Sequence, residues 1–195
     1  MVTIHPLKIE GRWQSGVALD LHTTSSTPIG HNEAGHMQFE TVRPEIAELL
    51  YQLKYQNNQG AAQGIIEAAA AYLRPHRAKF DLIIPVPPSA ARSVQPVILL
   101  ANGIGTALGL PVVNCVTTTR ATSQLKGVTD PAQRQELVKG LYAVNGAYTA
   151  DKNILLFDDL FRSGTTMNAI TDVLLSAGRA KTVRAVTITK TRSNQ

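Results

Sequence analysis

The sequence of 195 residues lacks the features that define several classes of protein. Its single cysteine, Cys115, cannot form an internal disulfide, so we expect a cytoplasmic protein in a reducing compartment. No secretion leader with a positive and an apolar region opens the chain. The uncharged stretch 93–119 is interrupted by glycine, proline and asparagine, so we expect no membrane span. Lysines and arginines are scattered despite the net charge of +5, which does not indicate a nucleic-acid partner.

Motifs for nucleotides and metals are also missing. No G-x-x-x-x-G-K-[ST] motif and no cysteine pair occurs, which argues against a P-loop enzyme and a zinc module. Three glycines resemble a dinucleotide fingerprint, but no strand precedes them directly and no acid follows about 20 residues later. Three histidines lack metal-ligand spacing, so we interpret them as polar loop residues and assign no metal ligand directly. The residues concerned are Gly103, Gly105 and Gly109, and His22, His31 and His36.

The patterns that are present predict an α/β fold. From residue 43 onward, helical and strand patterns alternate, which predicts a central parallel sheet flanked by helices. We predict helices from Pro44, over 61–73, over 97–108 and after Thr166, and strands at 81–86, 112–116, 154–157 and 183–189. Residues 1–42 differ: apolar and polar residues alternate over 17–22, and polar turns follow. We therefore predict a small antiparallel β element at 1–42, as an edge extension or a cap, and a main domain at 43–195.

The richest segment runs from Ile154 to Thr166. Four apolar residues indicate a buried strand, which we expect to end at the adjacent carboxylates Asp158 and Asp159. A Ser-Gly-Thr-Thr turn follows, and then a helix with apolar residues at Met167, Ile170, Leu174 and Ala177. Ligands of open α/β sheets bind at the carboxyl ends of the strands, and a helix N-terminus binds phosphate. Carboxylates that accept sugar hydroxyls beside such a turn predict a sugar-phosphate pocket.

This segment resembles the phosphoribosyl pyrophosphate (PRPP) motif of type I phosphoribosyltransferases, in which two acids and a Thr/Gly-rich loop follow a hydrophobic strand. The resemblance implies that Asp158 and Asp159 hold the ribose hydroxyls. It also implies that the five residues after two variable positions surround the 5′-phosphate, namely Arg162, Ser163, Gly164, Thr165 and Thr166. The expected reaction transfers the phosphoribosyl group from Mg²⁺-PRPP to a nitrogen nucleophile and releases pyrophosphate.

Two further segments resemble the ComF-type, competence-associated branch of that family. The loop after the strand at 81–86 would bind pyrophosphate, and its candidate residues are Pro87, Pro88, Ser89 and Arg92. Arg92-Ser-Val-Gln95 departs from the R-G-F-N-Q pattern of the branch. The polar segment 120–134 resembles the flexible loop that closes over the reacting centre. There Arg120 and Arg134 would contact pyrophosphate, and Lys126 would act in catalysis by stabilising developing negative charge.

Other interpretations remain open at this point. The acidic pair and its turn could be an ordinary surface loop between a core strand and a core helix. The protein could also be a non-catalytic sensor of PRPP or nucleotides, linked to nucleic-acid uptake or handling, and the altered Arg92 segment favours that alternative. The sequence does not define the acceptor base. It also does not define the oligomeric state, and a homodimer is possible.

Overall fold

The computed structural model describes residues 2–88, 95–120 and 130–192, with side chains left out at four positions of one helix. The helices are α1 (Glu45–Tyr55), α2 (Ala61–Leu73), α3 (Pro96–Leu108), α4 (Pro131–Val138) and α5 (Thr165–Leu175). The strands are β1 (Leu7–Lys8), β2 (Ser15–Leu21), β3 (Ser25–His31), β4 (Met37–Val42), β5 (Leu82–Pro85), β6 (Val116–Thr118), β7 (Tyr142–Val144), β8 (Asn153–Phe161) and β9 (Thr182–Lys190). Short 3₁₀ segments lie at Arg74–Lys79 and Gly146–Tyr148. None of the helices in the described residues is long and apolar enough to cross a membrane.

A five-stranded sheet in the order β1-β2-β9-β8-β5 forms the centre of the molecule. Strands β2, β9, β8 and β5 are parallel, and only the two-residue edge strand β1 is antiparallel. The carboxyl ends of four parallel strands therefore meet at one edge of the sheet. This mixed, mostly parallel sheet flanked by helices confirms the predicted α/β fold.

Alternation along β8 divides the core between the two faces of the sheet, because neighbouring strand residues point to opposite sides. Leu155 and Phe157 lie in the cluster built with α1, α2 and α3. Ile154 and Leu156 lie in the other cluster, which contains the apolar residues of α5. All four of these side chains are buried. Continuing the alternation places Asp158 on the α5 side and Asp159 on the α1 side.

Several helix predictions are confirmed within one or two residues. Helix α2 has the predicted bounds, and α3 begins one residue earlier than expected. Pro44 is the residue before α1 and not its first residue. Ala177 is exposed beyond the end of α5, so the predicted apolar face is shorter than expected.

Two strand predictions need correction. The strand that we expected to end at the acidic pair continues to Phe161, because β9 pairs with it as far as Lys190. The predicted strand at 112–116 is a single bridge from Val112 to Ile83, while Val116–Thr118 pairs with β7 in a separate hairpin. Buried Cys115 lies between these two pairings.

The N-terminal residues do not form one antiparallel unit. β2 pairs in parallel with β9, from Ser15 opposite Arg184 to Leu21 opposite Lys190, and so belongs to the central sheet. β1 pairs antiparallel with β2 over two residues, and β3 and β4 form a separate antiparallel hairpin in which almost every residue is exposed. The pattern at 17–22 indicated a strand correctly, but it could not show which distant strand would pair with it. The domain division at 42/43 remains a prediction.

Candidate active site

The candidate site lies at the carboxyl edge of the central sheet. β8 brings Asp158 and Asp159 to this edge, β5 brings Pro87 two residues after its end, and β2 brings His22 immediately after its last residue. The His22 backbone N–H donates to the Lys190 carbonyl at 2.7 Å, which fixes the end of β2 against the end of β9. The topology therefore collects polar residues from separate parts of the chain in the place where open α/β sheets bind ligands.

Asp158 is the most strongly perturbed acid at this edge. Burial raises the pKa of its carboxyl well above the ordinary value, and the negative charge of Asp159 raises it further. The backbone N–H of Asp159 donates to Asp158 Oδ1 at 2.8 Å, and this bond and the charge of Lys54 oppose the shift in part. The unliganded protein therefore favours a protonated Asp158. In that form the carboxyl can donate a hydrogen bond to a sugar hydroxyl or accept one from it.

Asp159 has a cationic partner that the sequence did not reveal. Lys54, in the last turn of α1, places Nζ 3.0 Å from Asp159 Oδ2, and the two side chains are 14% and 15% exposed. The pair joins the helix on one face of the sheet to the end of β8, as the alternation along β8 requires. A ribose that binds to Asp159 must share that carboxylate with Lys54 or displace the lysine.

The turn after β8 has the geometry of a phosphate cradle. Gly164 precedes α5 with φ +72°, a left-handed conformation that glycine adopts without a steric penalty. Among the described residues, no side chain caps the start of α5, so its first backbone N–H groups remain open to a ligand. Ser163 Oγ and Thr165 Oγ1 lie 2.9 Å apart at the mouth of this turn. Arg162 is exposed beside it and can supply positive charge to an anion.

The backbone of this turn is held in place by aromatic packing. The Phe161 ring meets the Trp13 ring edge-on, with centroids 6.1 Å apart. Trp13 Nε1 donates to the Ile9 carbonyl at 3.2 Å, and the Arg12 backbone N–H donates to Asn168 Oδ1 at 2.8 Å. A β-carbon at Gly164 would lie 2.9 Å from the Phe161 ring, so the site excludes any side chain there.

The other predicted contacts are only partly visible. Pro87 is half-buried and Pro88 exposed after β5, while Ser89, Arg92 and Lys126 lie outside the described residues, as does the side chain of Arg134. Arg120 is described: its Nη2 donates to the carbonyls of Leu137 at 2.9 Å and Lys139 at 3.1 Å, at the end of α4. Because α4 packs against α5, this arginine belongs to the same side of the molecule as the phosphate cradle. The predicted pyrophosphate roles stay predictions.

A group of basic side chains lies near the ion pair of Lys54 and Asp159, and the sequence analysis did not predict it. Burial lowers the pKa of His22, and the positive charges of Lys54, Arg43 and Arg162 lower it further. His22 Nδ1 lies 3.1 Å from Thr189 Oγ1 on β9. We call His22, Arg43 and Lys54 the cationic cluster. Its members come from the end of β2, the link between β4 and α1, and the end of α1, so no local motif could reveal it.

The site offers few ligands of its own to Mg²⁺. Within residues 2–88, 95–120 and 130–192, no group of three or more histidine, cysteine, aspartate or glutamate side chains could hold a metal ion. Mg²⁺ prefers oxygen ligands and retains waters, and it is often bound through substrate phosphates. The carboxylates of Asp158 and Asp159 therefore fit a Mg²⁺ ion that enters with a pyrophosphate-bearing substrate and takes most of its ligands from it.

Comparison with known proteins identifies the family of this chain. Residues 52–195 match the family described as phosphoribosyl transferase domain, and the chain belongs to that family, with the type I fold. No curated protein matches the chain significantly.

Three solved structures illustrate the likeness. A crystal structure of adenine phosphoribosyltransferase has a TM-score of 0.50 at 17% identity and covers 85% of this chain and 84% of its own. Glutamine PRPP amidotransferase from B. subtilis, complexed with ADP and GMP, has a TM-score of 0.50 at 21% identity, covering 80% and 34%. An allosteric regulatory enzyme of purine biosynthesis has a TM-score of 0.47 at 20% identity, covering 66% and 26%. This chain thus spans about a third of the second protein and about a quarter of the third, and the likeness concerns the fold alone.

Proposed function

We propose that this protein is a phosphoribosyltransferase that binds Mg²⁺-PRPP and transfers its phosphoribosyl group to a nitrogen nucleophile. The observation that carries the proposal is the pairing of two carboxylates, Asp158 and Asp159, with an uncapped helix N-terminus behind Gly164. The carboxylates suit the two ribose hydroxyls, and the open N–H groups with Arg162 suit the 5′-phosphate. The family match over residues 52–195 supports the same substrate.

The two acids have different tasks in this proposal. Burial and the neighbouring Asp159 charge raise the pKa of Asp158, which favours its protonated form near neutral pH. In that form the carboxyl can donate a hydrogen bond to a sugar hydroxyl or accept one from it. Asp159 is held by Lys54 at 3.0 Å until the sugar arrives. Together they fix the ribose ring, so that the anomeric carbon is oriented between leaving group and nucleophile.

In the reaction, the bond between the anomeric carbon and the pyrophosphate oxygen breaks, and a bond from that carbon to the acceptor nitrogen forms. The electron pair of the broken bond leaves with pyrophosphate. An acceptor with an N–H group gives its proton to water, whereas a pyridine nitrogen has no proton to lose. When bound, Mg²⁺ neutralises charge on the pyrophosphate oxygens. The chain supplies cations for the same charge, which we assign to Arg92, Arg120, Lys126 and Arg134, while Pro87, Pro88 and Ser89 shape the loop beside it.

A second candidate function is a PRPP or nucleotide sensor without turnover. The ion pair between Lys54 and Asp159 favours it, because a carboxylate already neutralised binds a ribose hydroxyl less readily. The departure of Arg92-Ser-Val-Gln95 from the ComF-type pattern points in the same direction. Membership of the ComF-type branch is a proposal that applies to either function, and a link to nucleic-acid uptake or handling belongs to this second one.

The two functions are separated by measuring pyrophosphate release from Mg²⁺-PRPP against a panel of purine, pyrimidine and pyridine bases. The proposed enzyme releases pyrophosphate with at least one base. Lys126→Ala should lower the rate far more than the affinity for PRPP, because the charge it meets develops as pyrophosphate leaves. The matched control is Lys152→Ala. Lys152 is exposed directly before β8, at the amino end of the strand and away from the candidate site. Tight PRPP binding with no release from any base would establish the sensor instead.

A further inference from the structure

The cationic cluster contains an arginine whose donors are not used. Arg43 Nε is buried and makes no hydrogen bond within the described residues. The guanidinium carbon lies 4.1 Å from the centroid of the Tyr51 ring, and Nη1 lies 3.5 Å from Glu48 Oε2. That ion pair is longer than a charge-assisted hydrogen bond, which is usually about 2.7–2.9 Å. The arginine is thus positioned by an aromatic face while its Nε–H has no partner within the described residues.

A buried donor without a partner destabilises a protein, and such groups in native structures often indicate a ligand or a functional role. The guanidinium group matches a carboxylate in a planar, two-bond arrangement, which a single ammonium group cannot do. Lys54 lies three residues after Tyr51 on α1, on the same face of the helix. His22 joins the group through Thr189, whose Oγ1 lies 3.1 Å from His22 Nδ1 and 3.4 Å from the Asp159 carbonyl oxygen. The positive charges of Lys54 and Arg43 both lower the His22 pKa. Lys54 is paired with Asp159 and Arg43 lies 3.5 Å from Glu48, but Arg162 adds a third cation near His22. The positive charges therefore outnumber the negative ones here and favour a ligand with a negative charge.

The strand order places this cluster on the acceptor side of the sugar. β8 carries the ribose and phosphate residues, and its neighbour on one side is β5, which leads into the proposed pyrophosphate loop at Pro87. On the other side lie β9 and then β2, which ends at His22. In a displacement at the anomeric carbon, the nucleophile approaches from the face opposite to the leaving group. A leaving group on the β5 side therefore puts the acceptor on the β2 side, beside the cluster.

We propose that His22, Arg43 and Lys54 form the acceptor subsite, and that the acceptor is an anionic nitrogen heterocycle whose carboxylate binds to Arg43. This inference rests on the proposed transferase function, since it assigns the second substrate of the same site. The carboxylate spans the Arg43 guanidinium and fills the donor capacity that Tyr51 and Glu48 leave open. His22 Nε2 adds a hydrogen bond, and Lys54 adds charge between the acceptor and Asp159.

The test compares ring-matched pairs that differ in carboxylate charge. Calorimetry with nicotinate against nicotinamide, and with orotate against uracil, is performed with and without Mg²⁺-PRPP. At least one acid should bind tenfold or more tightly than its neutral partner, as a charge-assisted pair of hydrogen bonds requires. Arg43→Gln should reduce this preference to less than threefold, and Arg43→Lys should keep part of it. Lys152→Gln removes the same charge from an exposed position at the opposite sheet edge and should keep the full preference.

Mg²⁺-PRPP binding by the same variants shows whether they are folded and separates the two proposals. If PRPP binds but neither acid is preferred, or if neither acid binds at all, the anionic acceptor is wrong while the transferase function stands. If Arg43→Gln keeps the preference, Arg43 does not form the subsite and the inference is overturned. If acids are preferred in an Arg43-dependent way but PRPP does not bind, the anion site is supported and the transferase function fails.

Discussion

Replacing Asp158 with asparagine should stabilise the unliganded protein at neutral and alkaline pH. The native carboxyl is partly buried at the end of β8, beside the charge of Asp159, and both effects raise its pKa. Asparagine has the same shape, and its Oδ1 can still accept the hydrogen bond that Asp159 N donates at 2.8 Å. The substitution therefore removes an ionisable group without creating a cavity, and the asparagine Nδ2 takes the place of the protonated Oδ2.

The sign follows from proton linkage. A carboxyl with a raised pKa in the folded state holds its proton there, while the same group is ionised in the unfolded chain above about pH 3.9. The folded state then binds more protons than the unfolded state, so stability falls as pH rises from that value towards the raised pKa. Each pKa unit corresponds to about 1.4 kcal/mol. Allowing for partial exposure, we expect Asp158→Asn to gain about 2–3 kcal/mol at pH 8 and under about 1 kcal/mol at pH 4.5.

Thermal unfolding followed by circular dichroism at these two pH values measures the effect. For a chain of this length, 1 kcal/mol shifts the melting temperature by about 2–4 °C, so the expected gain at pH 8 is about 4–12 °C. Lys152→Gln, an exposed charge change at the other sheet edge, should show no such pH-dependent gain. A variant no more stable than the parent at pH 8, or one with an equal gain at pH 4.5, would refute the raised pKa.

Three other variants test separate parts of the site. Gly164→Ala should lose about 1–2 kcal/mol and weaken PRPP binding in thermal-shift and calorimetric assays, because φ is +72° and the new methyl meets the Phe161 ring at 2.9 Å. Gly109→Ala, with φ +62° and no atom within 4 Å, should lose less stability and keep PRPP binding. Arg162→Ala should weaken Mg²⁺-PRPP binding about tenfold or more, and unchanged calorimetric affinity would remove Arg162 from the phosphate site. Lys54→Met should lose about 1–3 kcal/mol in denaturant unfolding, because it leaves the Asp159 charge unpaired, and equal stability would contradict that pairing.

The local part of the fold could be predicted from the sequence. The spacing of apolar residues predicted the observed bounds of α2, and the apolar run at 154–157 predicted the core of β8. Both could be predicted because the faces that an element buries determine the order of apolar residues along it. The end of β8 could not be predicted, since pairing of Phe161 with Lys190 depends on a strand 20 or more residues later. The parallel pairing of β2 with β9 joins residues more than 160 positions apart and left no local pattern.

The same distinction applies to the site. The acidic pair, the glycine turn and the helix start are contiguous, so their chemistry could be inferred from spacing alone. The partner of Asp159 could not be inferred. Lys54 lies more than 100 positions earlier in the chain, and in the sequence it is only a basic residue in the last turn of a helix. The orphaned donor of Arg43 depends on Tyr51 covering its guanidinium, which only the folded arrangement reveals. Contacts between distant segments therefore supplied what the sequence analysis missed.

The measurement that tests the central claim most directly is calorimetric titration of Mg²⁺-PRPP into the parent protein and into the double variant Asp158→Asn with Asp159→Asn. We predict saturable binding by the parent, with stabilisation of about 2.7 kcal/mol at a hundredfold excess over the dissociation constant. The folded double variant should lose most of that binding, because both ribose acceptors change while the phosphate turn remains. Equal affinity of the two proteins, or no binding by the parent, would contradict the assignment of this edge of the sheet as a PRPP site.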